Sequence, residues 1–230
     1  MKAVILAGGL GTRLKGVITQ IPKPMALIGE KPFLEYLLGK LDYSIIDEII
    51  LSVGYRYEVI ESYFGDSFQN VPIKYSIENQ PLGTGGGIRL ALSKIQNNNE
   101  PVLILNGDTY FDFNLKELLL FHNSNNSDLT LSLKKMFDYD RYGSVIVDGD
   151  DKVIGFHEKS YFSDGLINCG VYLINKNKID KINFADKFSF ELDFMESYFK
   201  KLNFYAYTSK GYFIDIGIPA DYKRAQLELK

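Results

Sequence analysis

The chain begins MKAVILAGGLGTRLKGVITQIPKPM (residues 1–25): an apolar run, three closely spaced glycines, then Thr12 and Arg13, and finally Lys23 held between two prolines. The run AVILA, residues 3–7, has no polar position. A strand without alternation is buried on both faces, as in a parallel sheet covered by helices. Ligands of such sheets bind beyond the carboxyl ends of the strands, and GGLGTRL leaves one of those ends. Glycine lets a backbone N–H approach an oxyanion with no side chain in the way. Thr12 adds a hydroxyl donor, and Arg13 adds guanidinium N–H groups whose fork matches phosphate. Pro22 fixes its own φ, and Pro24 biases Lys23 toward extended geometry. The lysine is therefore a preorganised cation, which phosphoryl chemistry requires.

Two better-known glycine loops do not fit. A P-loop ends in GK[ST], a triplet that does not occur here. A dinucleotide fingerprint needs GxGxxG; Gly9 and Gly11 fit, but position 14 is Leu14. A plain tight turn would explain the glycines and leave Arg13 and Lys23 without a purpose.

Outward from this loop, strand-like and helical patterns alternate. Residues 49–53 (IILSV) read as a second buried strand, 57–64 as a helix, 73–77 as a third strand, 86–95 as a helix and 102–105 (VLIL) as a fourth strand. Pro32 reads as the first residue of a further helix carrying Phe33, Leu34, Leu37, Leu38 and Leu41. This rhythm predicts an α/β fold with a doubly wound, mostly parallel mixed sheet. From about Asp128 the texture becomes sheet-rich, with strands over 129–133, 144–147, 153–158 and 166–174, a helix over 189–202 and a last short helix after Pro219. The organisation expected is one domain with two lobes, about 1–127 and 128–230.

Composition narrows the class. At 230 residues with 46% apolar content, the chain can bury a substantial core. A net charge of -3, with basic residues scattered, argues against a nucleic-acid partner. The single cysteine, Cys169, excludes an internal disulfide and reads as core. The two histidines, His122 and His157, are too few for a metal cluster and read as structural or surface residues. No stretch is apolar for long enough to cross a bilayer, and the first residues lack a leader pattern. The expectation is a soluble, cytoplasmic protein with no membrane partner. A homo-oligomer is compatible with the sequence, which locates no interface.

GGLGTRL followed by PKP resembles the opening signature of the sugar-1-phosphate nucleotidylyltransferases, or nucleotide-sugar pyrophosphorylases, and the resemblance extends over about residues 1–225. It implies a Rossmann-like nucleotidyltransferase fold that joins an NTP to a sugar 1-phosphate and releases pyrophosphate. It also implies Mg²⁺ held by Asp108, in NGDTYF, and Asp215, in YFIDIGIPADY. Two carboxylates suffice for a cation that keeps water and phosphate ligands. Leu6, Ala7, Gly8, Gly9, Gly11, Thr12 and Arg13 would then surround the nucleotide. Gln80, Leu82, Gly83 and Thr84, from ENQPLGTGGGI, would read the base, and Asn106 would complete the nucleotide side. Gly107, Gly143 of RYGSV, Glu158 and Lys159 of FHEK, and Asn168 and Gly170 of INCGVYLI would hold the sugar phosphate. Arg13, Lys23 and Asp108 would carry the catalysis.

The run SIENQPLGTGGGIRLAL is most similar to that of the heptose 1-phosphate guanylyltransferases, which implies GTP as the nucleotide. N-acetylmuramate 1-phosphate uridylyltransferases are the runner-up, and a catalytically silent nucleotide-sugar binder is the alternative of another class. With only about fifteen residues after Asp215, the β-helix of longer relatives is not expected here.

Overall fold

The structure, a computed structural model, describes residues 1–9, 21–96 and 100–229. Strand β1 (Lys2–Leu6) carries the opening apolar run. After residue 21 comes a 3₁₀ turn, Lys23–Met25, entered through Pro22. The two-residue strands β2 (Leu27–Ile28) and β3 (Lys31–Pro32) then form a small hairpin. Helix α1 (Phe33–Gly39) starts one residue later than Pro32 suggested. Pro32 is instead the N-cap residue, paired in the hairpin at ψ 144, an extended geometry rather than that of a first helical residue.

The chain continues through β4 (Glu48–Val53), α2 (Tyr57–Phe64), β5 (Ser67–Phe68), β6 (Val71–Ile77) and α3 (Gly83–Ser93). Next come β7 (Val102–Asn106), β8 (Thr109–Phe111) and α4 (Leu115–Ser124). The second half holds β9 (Leu129–Tyr139), β10 (Ser144–Val147), β11 (Val153–His157), β12 (Phe162–Ile174) and α5 (Lys176–Ile179). A wide-turn π-helix, Phe190–Met195, runs into the single turn α6 (Glu196–Tyr198). Strands β13 (Phe204–Thr208) and β14 (Phe213–Asp215) and helix α7 (Pro219–Glu228) complete the described chain.

The fold is mixed α/β. Four parallel strands, in the order β7-β1-β4-β6, form the centre of the sheet. Ala3, Val4, Ile5, Ile49, Ile50 and Leu51 are fully buried there, because helices cover both faces. Beyond β7 the pairing turns antiparallel: β12 joins β7, and β10 and β9 both join β12. One sheet therefore crosses both halves of the sequence. Two apolar clusters, one on each face, fill the layers between sheet and helices. Apart from the main sheet, β8 and β14 form an antiparallel pair in which Thr109 faces Asp215.

Helix α4 and strand β13 were not anticipated. Asn114 caps α4, its side chain accepting hydrogen bonds from the N–H groups of Lys116 and Glu117. The helix expected over 189–202 starts as a π-helix and ends at Tyr198. Helix α3 begins at Gly83, three residues earlier than its apolar periodicity indicated.

Candidate active site

The parallel strands β1, β4, β6 and β7 end side by side, and a cavity of about 730 Å³ opens beyond those ends. Each strand contributes residues at or just past its carboxyl end: Leu6, Gly8 and Gly9 from β1, Ser52 and Gly54 from β4, Glu78 after β6, and Asn106 to Asp108 from β7. Lys23 and Pro24 line one wall, and Gln80, Pro81, Gly83 and Thr84 line another. This is where an open α/β sheet places its ligand.

At the mouth, three charged groups converge. Lys23 donates from Nζ to Asp108 Oδ2 at 2.6 Å, and the same Nζ lies 3.8 Å from Asp215 Oδ1. The β8–β14 pair is responsible: Asp108 directly precedes Thr109, whose register partner is Asp215, and the N–H of Ile216 bonds to the Asp108 carbonyl at 3.0 Å. Asp215 Oδ1 also accepts from the Gly217 N–H at 2.6 Å, which fixes its rotation. Gly217 leaves the site open, since a Cβ there would lie 2.8 Å from Asp215 Oδ1 and 3.3 Å from Lys23 Nζ. Burial of Asp215, and after it the Asp108 carboxylate, push its pKa above the ordinary carboxylate value, against the pull of Lys23. Both carboxylates thus face one cation position, now taken by an ammonium. That donor set fits Mg²⁺, which binds one or two carboxylates and keeps oxygen ligands from phosphate and water.

On the outer side of Asp215 stands Arg141, with Nη2 at 4.0 Å from Asp215 Oδ2. Arg141 is also ion-paired with Asp221, at the start of α7. Helix α7 in turn grips the β2–β3 hairpin: the Gly29 N–H donates to Gln226 Oε1 at 2.9 Å, and the Tyr222 hydroxyl donates to the Leu27 carbonyl at 2.7 Å. The C-terminal helix therefore ties the lysine-bearing segment to the carboxylate pair.

The sequence-derived site residues fall into three groups. Leu6, Gly8, Gly9, Lys23, Gln80, Gly83, Thr84, Asn106, Gly107 and Asp108 line the cavity. Gly11, Thr12 and Arg13 lie outside the described residues. The rest are not among the residues that line the cavity. Ala7 is buried and its N–H is spent on the Ser52 carbonyl. Leu82 has both backbone groups committed, its N–H to Glu78 Oε2 and its carbonyl to the Phe188 N–H, both at 3.0 Å. Asn168 closes a local loop, with Oδ1 accepting from the Gly170 N–H and Nδ2 donating to the Tyr172 hydroxyl. Gly170, at φ 69, sits against the Asn106 side chain. Gly143 packs beside the His157 carbonyl, and Glu158 and Lys159 are exposed just past β11.

The glycine run at the start of α3 has a second purpose that spacing did not reveal. Residues 186–190, from the other half, strap across it. The Gly85 N–H donates to the Phe188 carbonyl at 3.0 Å, and a Cβ on Gly83 or Gly86 would come within 2.6 Å of the Phe188 carbonyl or 2.5 Å of the Asp186 carbonyl. Thr84, read as a nucleotide contact, spends its hydroxyl on this strap: it donates to Glu191 Oε2 at 2.8 Å and accepts from the Phe190 N–H at 2.9 Å.

Sequence reasoning missed Glu78, Arg141 and Asp221. Glu78 follows directly on β6, in the strand-end position that singled out Asp108, so the same rule applied to every strand would have found it. Its carboxylate lines the cavity, with Oε2 on the Leu82 N–H and Oε1 at 3.4 Å from the Ser52 hydroxyl. Asn106 adds a buried amide oxygen without a hydrogen-bond partner, an acceptor a ligand could satisfy.

A cavity at the carboxyl ends of parallel strands, with a lysine and two converging aspartates at its mouth, matches what comparison with known proteins finds. The chain belongs to the nucleotidyl transferase family, whose model matches residues 2–230. It is 50% identical, over 230 residues, to the D-glycero-alpha-D-manno-heptose 1-phosphate guanylyltransferase of Aneurinibacillus thermoaerophilus, covering 100% of this chain and 99% of that protein. Identity to the enzyme of the same description from Campylobacter jejuni is also 50%, over 222 residues, covering 96% and 97% of the two chains. The crystal structure of HddC from Yersinia pseudotuberculosis complexed with GMP-PN is similar at a TM-score of 0.85 and 43% identity, covering 100% of this chain and 99% of that one.

Proposed function

We propose that the protein transfers GMP from GTP to D-glycero-α-D-manno-heptose 1-phosphate, forming GDP-heptose and releasing pyrophosphate. The observation that carries the chemistry is the convergence of Lys23, Asp108 and Asp215 beside the strand-end cavity. The choice of substrates rests on relatives similar over their full length.

A sugar phosphate oxygen attacks the α-phosphorus; a new P–O bond forms as the bond to the β-phosphate oxygen breaks. That oxygen is already anionic at neutral pH, so no general base is required. The protein's task is to bring two polyanions together and to stabilise developing charge. Lys23, presented from its proline-flanked turn, would hold the α-phosphate and sugar phosphate, and Arg13 the leaving phosphates. Mg²⁺ held by Asp108 and Asp215 would neutralise triphosphate charge. Glu78 is a fitting reader of guanine, because a carboxylate accepts from both N–H groups of the guanine Watson–Crick edge. Adenine and cytosine place an acceptor there, and uracil offers one donor between two carbonyls. The partnerless Asn106 oxygen is a fitting acceptor for a ligand hydroxyl. On the strength of the resemblance, Gly143, Glu158, Lys159, Asn168 and Gly170 would hold the sugar phosphate.

Among the described residues no helix is long and apolar enough to cross a membrane. Use of a nucleoside triphosphate fits a cytoplasmic enzyme, and self-association is compatible with it. The silent-binder reading loses support because Lys23, Asp108 and Asp215 are present and converge. The reading is tested by Lys23→Met and Asp108→Asn. Each is expected to lower pyrophosphate release about 10²–10³-fold, the loss of roughly 3–4 kcal/mol at the transition state, in a protein that still binds GTP. Unchanged turnover in both would contradict it.

A further inference from the structure

Lys23 lies between Asp108 and Asp215, the two carboxylates that would hold a metal ion. Its Nζ is 2.6 Å from one carboxylate and 3.8 Å from the other, and its side chain is only 12% exposed. The position is set by the backbone: the 3₁₀ turn between Pro22 and Pro24 fixes where the side chain starts, and the β8–β14 pair fixes the carboxylates. Arg141 approaches Asp215 from the outer side. In the ligand-free enzyme the two negative charges are therefore already balanced by cations of the chain itself.

We propose that Lys23 is the built-in counter-ion of the carboxylate pair, so that a divalent cation enters only together with the nucleotide, displacing the lysine onto the phosphates. The proposal rests on the metal-site reading of Asp108 and Asp215 given above. A free divalent ion would have to expel a charge-paired ammonium into a cavity whose described lining residues offer no carboxylate besides Asp108 and Glu78. A metal–triphosphate complex brings phosphate oxygens for the lysine to meet, so the exchange costs little. Binding of metal and nucleotide becomes coupled, and the coupling is reciprocal. The ordering also keeps Lys23 beside the carboxylates until an α-phosphate is present to receive it. A lysine that only bound phosphate would impose no penalty on metal binding to the free enzyme.

The test is direct binding of Mn²⁺ to the whole protein without nucleotide, followed by electron paramagnetic resonance of the free ion. Lys23→Met and Lys23→Gln remove the charge, and either one suffices should the other fold poorly. Each is expected to bind one Mn²⁺ at least tenfold more tightly than wild type, while Lys23→Arg stays as weak as wild type. The added Asp108→Asn exchange in Lys23→Met is expected to abolish the gain. Titrations with GTP present separate the two readings. If the neutral variants bind Mn²⁺ no more tightly, yet metal binding with GTP still needs Asp108, the counter-ion proposal falls and the metal site stands. If metal binding with GTP is indifferent to both Asp108→Asn and Asp215→Asn, the metal-site reading itself falls, and the proposal with it.

Discussion

Exchange of Gly86 for alanine distinguishes a structural glycine run from a ligand-binding one. Gly86 lies in the first turns of α3, fully packed, and an added Cβ would sit 2.5 Å from the Asp186 carbonyl oxygen and 2.7 Å from the Leu82 Cβ. In open space the exchange would stabilise the helix by about 1 kcal/mol, because glycine is the poorer helix former. Here the strap of residues 186–190 has to retreat by about 1 Å to restore ordinary contact, and such overpacking costs about 1–3 kcal/mol. The strap cannot retreat freely, since it is held by the Gly85–Phe188, Phe188–Leu82 and Phe190–Thr84 hydrogen bonds. The expected net effect is destabilisation, with Tm falling by about 2–4 °C for each kcal/mol in a chain of this size. GTP affinity should fall too, because Gly83 and Thr84 line the cavity and move with the strap. Thermal and urea melts, with a GTP isotherm, measure both. A variant as stable as wild type or more so, with only nucleotide affinity reduced, would refute the packing argument and return the glycines to direct ligand contact.

Two further outcomes follow from single side chains. Glu78→Gln keeps an acceptor for the Leu82 N–H but loses the second acceptor toward guanine. It should cost about 1.5–3 kcal/mol in kcat/KM for GTP, or roughly 10–160-fold, and narrow the preference over the other NTPs; an unchanged preference would exclude Glu78 as the base reader. His122 lies on the buried face of α4 with Nδ1 on the Thr130 hydroxyl, and burial, partly opposed by Asn175 and Asp128, lowers its pKa from the ordinary 6.5. Below about pH 6.5 the unfolded chain therefore takes up a proton that the folded chain resists. Stability should drop as pH falls below about 6.5, by up to about 1.4 kcal/mol per unit, and His122→Gln should flatten that slope. Denaturant midpoints across this range decide it; equal slopes would show that His122 does not titrate differently in the two states.

Where the chain's order is local, the sequence announces it. IILSV is apolar on both faces because both faces of its strand are covered, and Tyr57–Phe64 forms as its periodicity indicates. Helix α4 was also legible in principle: Asn114 followed by Glu117 ahead of an apolar run is a capping pattern, hidden by reading NGDTYF only for its aspartate. The meeting of Asp108 and Asp215 is of another kind. They are brought together by a three-residue antiparallel pair between distant segments, and no spacing encodes that register. The packing duty of the α3 glycines is hidden for the same reason, since the segment that needs their missing side chains lies about a hundred residues away. Glu78 belongs between these cases, visible once every parallel strand end is taken as a site position.

The most direct test of the whole account is pyrophosphate release measured across the four NTPs against heptose, mannose, glucose and N-acetylmuramate 1-phosphates, each with Mg²⁺ and with EDTA. The account predicts release that requires Mg²⁺ and is confined to GTP with D-glycero-α-D-manno-heptose 1-phosphate. Release with UTP and the muramate phosphate instead, or none from a folded protein that binds GTP, would contradict it.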